Sequence, residues 1–156
     1  MSKTTLRRRA LVALLLTGFT GAALAATPPA TGLGQSWPNA ADVSANPHWH
    51  AYVFVLNGIK YVQINDLNGN VLGAVGTANG QFITLPVGAY SQQVSTPQEP
   101  ATLSSTAVAT ASPTLVYQDD SMEITATPQS DGTLRLNALS IGECNDNPTE
   151  CTSHIQ

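Results

Sequence analysis

The sequence predicts an all-β protein, a small sandwich or barrel of about seven to eight strands built from antiparallel meanders. Three observations carry that reading. Asn-Gly occurs at Asn57-Gly58, Asn68-Gly69 and Asn79-Gly80, eleven residues apart each time, and Asn-Gly is the favoured pair for a two-residue type I′ hairpin turn. Two turn residues plus nine strand residues account for that spacing, and the last two expected strands alternate with a period of two. Ser, Thr, Asn, Gln, Gly, Pro and β-branched residues dominate, while charged helix formers are scarce.

The first element is not part of the fold. Lys3, Arg7, Arg8 and Arg9 form a basic head, followed by an apolar run from Ala10 that continues with small interruptions to Leu24. Ala23-Leu24-Ala25 is a small-x-small cleavage site. Residues 1–25 are therefore expected to be a signal peptide cut near Ala25-Ala26, leaving a periplasmic or secreted protein. The apolar run falls short of the ~20 residues of a spanning helix, and no membrane span is expected. Cleavage removes four of six cations, so Lys60 and Arg135 face ten acidic side chains and the net charge moves from −4 to −8. Two cations cannot neutralise a run of phosphates, which argues against nucleic acid, and anionic membranes are disfavoured for the same reason. A basic protein or a cation suits the balance better. The roughly 131 residues left are enough for one domain with a core.

Residues 26–47, punctuated by Pro and Gly, read as an irregular arm, loose at least to Gly34, with Trp37 as its packing anchor. A single all-β domain follows over 48–141. The Asn-Gly turns place four strands near 49–56, 59–67, 70–78 and 81–86, and they fix the register. Leu56 faces Ile59, Phe54 faces Tyr61, Tyr52 faces Gln63 and His50 faces Asn65. On the other face Val55 meets Lys60, Val53 meets Val62, Ala51 meets Ile64 and Trp49 meets Asp66. Across the next turn Val62 meets Val75, Ile64 meets Gly73 and Asp66 meets Val71. One face, with Val53, Val55, Val62, Ile64, Val71 and Val75, is the expected core. The other carries Tyr52, Phe54 and Tyr61 beside Ala74, Gly76, Ile83 and Leu85. Both faces are apolar, so the second needs a cover: the arm, the rest of the chain or another subunit.

Residues 91–105 read as a connecting loop. Shorter strands are expected at Thr106–Ala111, Thr114–Gln118, Met122–Thr127 and Thr133–Ile141. In the last two, Ile124, Ala126, Leu134, Leu136 and Ala138 alternate with polar neighbours and mark one buried face. The tail, 142–156, holds Cys144 and Cys151, an even pair that predicts a disulfide in an exported protein. Its acidic residues Glu143, Asp146 and Glu150 read as a solvated tip.

Chemistry has few places to sit. His48 and His50, two apart at the entry to the first strand, would point to one face and could present two imidazoles to Zn or Cu, with His154 as the third candidate ligand. The competing reading is two partly exposed histidines packed beside the aromatic row. Tyr52, Phe54 and Tyr61 could form a sugar- or peptide-binding face, although cross-strand aromatic pairs are as often plain packing. Asp66-Leu67-Asn68-Gly69-Asn70 lacks the Gly and late Glu of a calcium loop. Asp119, Asp120 and Glu123 are turn acids rather than a glycosidase pair. No catalytic residue is assigned, because no G-x-S-x-G, S-x-x-K or H-E-x-x-H is present. The expectation is a non-enzymatic binding or accessory protein of the cell envelope, inhibitor-like in kind. It would need no cofactor and would work through a protein partner, an envelope partner or self-association. The alternatives are a Zn- or Cu-binding protein using the His-x-His pair, and a hydrolase with an unfamiliar site.

Overall fold

The structure, a computed structural model, describes residues 28–101 and 107–141. Two four-stranded sheets pack face to face as a small sandwich, with neither closed into a barrel. The first sheet is the predicted meander: β1 (Trp49–Leu56), β2 (Ile59–Asp66), β3 (Val71–Ala78) and β4 (Gln81–Thr84), in the order β1-β2-β3-β4. The second contains β5 (Val94–Ser95), β6 (Thr114–Gln118), β7 (Met122–Pro128) and β8 (Leu134–Ser140), in the order β5-β8-β7-β6.

Asn57 and Asn79 take positive φ, as do the glycines after them, so these two turns have the left-handed backbone that a type I′ hairpin requires. All eight β1–β2 pairs follow the predicted register. The turn at Asn68-Gly69 does not. Only Gly69 has positive φ there, and Gly69 N–H donates to Asp66 C=O while Asp66 N–H donates to Asn70 C=O, 3.0 Å each. This is a three-residue loop closed by a left-handed glycine. Asp66 causes the change: its carboxylate accepts main-chain N–H bonds from Asn68 at 2.9 Å and Asn70 at 2.8 Å, and an amide bond from Asn70. That last bond is the main reason its pKa is lowered. An Asx turn competes with the two-residue hairpin and wins. The extra residue shifts the register between Ile64 and Asn65, so Asn65, not Asp66, pairs with Val71.

The shift changes which residues form the core. Val62, Ile64 and Val75 are buried as expected, together with Leu72. Val71 is only half-buried, and Val55, near the end of the edge strand, is 64% exposed. From the second sheet Val116, Met122, Ile124, Ala126, Leu136 and Ala138 complete the layer. The chain crosses between sheets along residues 85–93. Ala89 and Tyr90 N–H groups bond to Val71 and Leu72 on the bulged part of β3, and a 3-10 turn, Ser91–Gln93, leads into β5.

Two expectations for the second sheet are corrected. Strand β5 lies inside the predicted loop and pairs parallel to β8, so this sheet is mixed rather than a second meander. The strand expected at Thr106–Ala111 is absent from its described part, 107–111, where a single bridge joins Ala109 to Gln129. With Ser112-Pro113 directly after it, this segment has little length over which to build a ladder.

An ion pair straps the two sheets together. Lys60 on β2 reaches Asp119 in the β6–β7 turn and donates to Ser121 Oγ at 2.7 Å. Partial burial pushes the Asp119 carboxyl up. Lys60, the Ser121 and Met122 N–H groups, Tyr117 OH and Ser121 Oγ outweigh that and hold it well below the usual carboxylate range. Asp119→Asn should therefore cost about 2 kcal/mol, read as a lower urea midpoint at pH 7. Ser121→Ala, which removes only an exposed hydroxyl, should cost less than half as much.

Candidate functional site

The arm decides what is accessible on the first sheet. Gln63 and Asn65 on β2 are completely buried, and a buried amide must find partners for both its ends. Gln63 Oε1 accepts from Gly34 N–H at 2.6 Å, while its Nε2 donates to Gln35 C=O and to Asn65 Oδ1, 2.8 Å each. Asn65 Nδ2 donates to Ser36 C=O at 2.7 Å and to Gly69 C=O at 3.2 Å. Gly34, expected to lie in the loose stretch, and Gln35 and Ser36 after it are thus bonded to the sheet. Trp37 rests against Gly69, where an added Cβ would stand 2.6 Å from the indole. It anchors the arm while keeping 60% exposure.

On the face that the arm bonds to, the first two residues of the aromatic row are closed. Tyr52 is 5% exposed and Phe54 1%, and Tyr61 is half-buried, flanking Gly76 with Ile83. Tyr52 and Phe54 belong to a packed layer, the plain-packing reading of the row, while Leu56 and Ile83 on the same face stay exposed, so the arm covers part of the two-sided apolar sheet.

The two described histidines part company. His50 lies on β1, its Nδ1 2.7 Å from Asp42 Oδ2. Its ring stands edge-on to Trp37 at 5.7 Å and stacks on Tyr52 at 6.0 Å. His48 sits in the turn before β1, where Trp49 N–H bonds to Asn46 C=O, and its ring meets Trp49 at 5.9 Å. The strand alternation that would align them starts one residue too late. Among the described residues no group of three His, Cys, Asp or Glu side chains converges as a metal site. His154, Cys144 and Cys151 lie outside the described residues.

Asp42 feels opposing influences. Partial burial raises its pKa, but the bond to His50 and the N–H groups of Ala51 and Ser44 outweigh this and bring it down to about 2. A depressed carboxylate stabilises the fold fully above its unfolded value near ~4, and that contribution is lost as pH falls through the folded value. Thermal stability measured from pH 5 to pH 2 should therefore fall across this window. In Asp42→Asn the fall should be shallower, because one of the contributing carboxylates is gone.

A groove runs beside β1. Pro28, Pro29 and Ala30, Asn39 to Ala41 with Val43, and Val53 with Val55 line a volume of about 440 Å³. It contains no charged side chain, and Val43 and Val55 are 47% and 64% exposed. This feature escaped the sequence reading, because it depends on where the arm leaves the strand.

Comparison with protein-family models, with curated proteins and with solved structures returned no match.

Proposed function

We propose that this chain is an exported, non-enzymatic binding domain that acts on a protein partner in the periplasm or outside the cell, after cleavage near Ala25-Ala26 and with Cys144 and Cys151 bridged. The observation that supports the reading best is the groove beside β1. It is apolar, uncharged and open, on a domain whose described part carries seven acidic side chains against Lys60 and Arg135. Exposed apolar surface with concave shape is a usual mark of an interaction site. A photo-crosslinking side chain at position 55 of the full-length protein, expressed in its own cells, tests this. Protein adducts should form there and not at a control position, 131. Equal labelling at both positions, or none at 55, would remove the proposal.

A second reading has one observation in its favour. Asp42 fixes His50 through Nδ1, the arrangement in which a carboxylate orients an imidazole for metal binding through Nε2. Elemental analysis of purified protein separates the two. Stoichiometric Zn or Cu that disappears in His50→Ala would support a metal centre, and substoichiometric metal unchanged by the substitution would end it.

A further inference from the structure

We infer that the outer edge of β1 over Val53–Leu56 accepts an added strand: an extended partner segment with small uncharged apolar side chains and cationic flanks. This rests on the binding-domain reading and specifies how the groove is used.

The argument begins with main-chain direction. Ala51 turns its N–H and C=O away from β2, since the N–H donates to Asp42 Oδ1 at 3.0 Å and the C=O accepts from Val43 N–H at 2.9 Å. In an antiparallel ladder the outward-facing residues recur every second position, so Val53 and Val55 also turn their N–H and C=O groups outward. The arm covers Ala51 but then leaves the edge, since Asn39 pairs with Thr31 instead. Among the described residues Val53 and Val55 have no outward main-chain partner.

The other long edges are guarded. On β4, Phe82 N–H donates to Gln98 Oε1 at 3.1 Å and Thr84 N–H to Glu99 Oε2 at 3.4 Å. On β6, Val116 C=O accepts from Ala45 N–H at 2.7 Å. Proteins commonly block exposed edges because open ones recruit strands. Among the described residues the Val53–Val55 stretch has no such guard, and both valines line the groove.

Shape and charge select the occupant. A strand opposite four residues spans about 13 Å, and the groove beside it is lined by Pro, Ala and Val with one polar residue, Asn39, so small apolar side chains fit most of it. The described residues sum to −5, seven acids against two bases, which favours cationic flanks. A second copy would carry the same charge and would have to bring its own β1 edge past its own arm. Strand addition supplies affinity through main-chain bonds and selectivity through alternate side-chain contacts.

The test uses the full-length processed protein and a fluorescein-labelled probe peptide, Lys-Val-Thr-Val-Thr-Val-Lys, with a twin flanked by Glu. The Lys-flanked peptide should bind and slow amide exchange at Val53 and Val55. The Glu-flanked twin should bind more weakly at low salt. Val55→Pro removes an outward N–H without touching the β1–β2 ladder, so it should weaken binding roughly tenfold. Val55→Lys, which guards the edge while keeping the N–H, should weaken it as well. If Val55→Pro folds poorly, the Val55→Lys variant and the wild-type exchange pattern decide. Peptide binding without protection of Val53 and Val55 overturns strand addition and leaves the binding-domain reading standing. Protection of the same amides by self-association, seen as a dimer in light scattering without peptide, overturns the proposed occupant. No binding by either peptide overturns the inference, whereas loss of position-55 adducts in cells overturns the broader reading.

Discussion

Replacing Gln63 by leucine should lower the melting temperature by roughly 10 °C. Leucine has a similar size and suits a fully buried position, so the cost is not one of packing. It leaves the Gly34 N–H, the Gln35 C=O and the Asn65 Oδ1 without their bonds. Each buried polar group left alone costs ~1–3 kcal/mol. The arm limits the total by lifting away and returning its groups to water, which puts the loss at about 3 kcal/mol. Calorimetry gives the temperature. Amide exchange at Gly34 gives the cause, because its protection should vanish while that of the β2–β3 ladder persists. A melting temperature within about 2 °C of the parent would mean that something other than this amide holds the arm.

Gly88→Ala should be the most damaging single-methyl change, costing upwards of ~3 kcal/mol. Gly88 has φ +103°, a region L residues rarely enter. An added Cβ would lie 2.5 Å from Leu72 C, 2.6 Å from Leu72 O and 2.6 Å from Gly73 N. All three are main-chain atoms of β3, so no side chain can turn aside. Moving Gly88 would also break the Ala89 and Tyr90 bonds to the bulge, where the chain leaves one sheet for the other. Gly58→Ala is the control. It also has positive φ, at +80°, but nothing lies within 4 Å of its added Cβ, so it carries backbone strain of only about 1–2 kcal/mol. Urea midpoints of the two variants separate clash from strain, and equal midpoints would refute the close-approach argument.

What could be read in the sequence follows from how local the cause is. The β1–β2 hairpin depends on Asn57-Gly58 and eight flanking pairs, and its register was legible to the residue. Strand β6 was bounded by Pro113 and the Asp119 turn, and its limits were legible too. At Asn68-Gly69 the same dipeptide misled, because Asp66 two residues earlier redirects the loop through its side chain. That aspartate was visible, but the contest between two turn types has no outcome until the main-chain geometry is known. Val94-Ser95 is too short to show a period, so a parallel β5 was hidden. The register placed Gln63 and Asn65 opposite Tyr52 and His50. Their partners in the arm, 28 to 29 positions away in an irregular segment, had no pattern that could announce them. The shared face expected for His48 and His50 was not legible for a smaller reason, since β1 begins at Trp49, not at His48.

The docked arm also bears on the order in which the molecule assembles. Residues 34–36 leave the ribosome before any strand they bind, yet their bonds reach residues 28 to 29 positions downstream. The hairpins close across only two or three turn residues, and short loops close faster than long ones. The meander should therefore form first and capture the arm afterwards. The segment made earliest is fixed among the last, and until then Tyr52, Phe54 and the amides of β2 stay wet. Until the meander has closed, the chain therefore keeps its first described stretch unfastened.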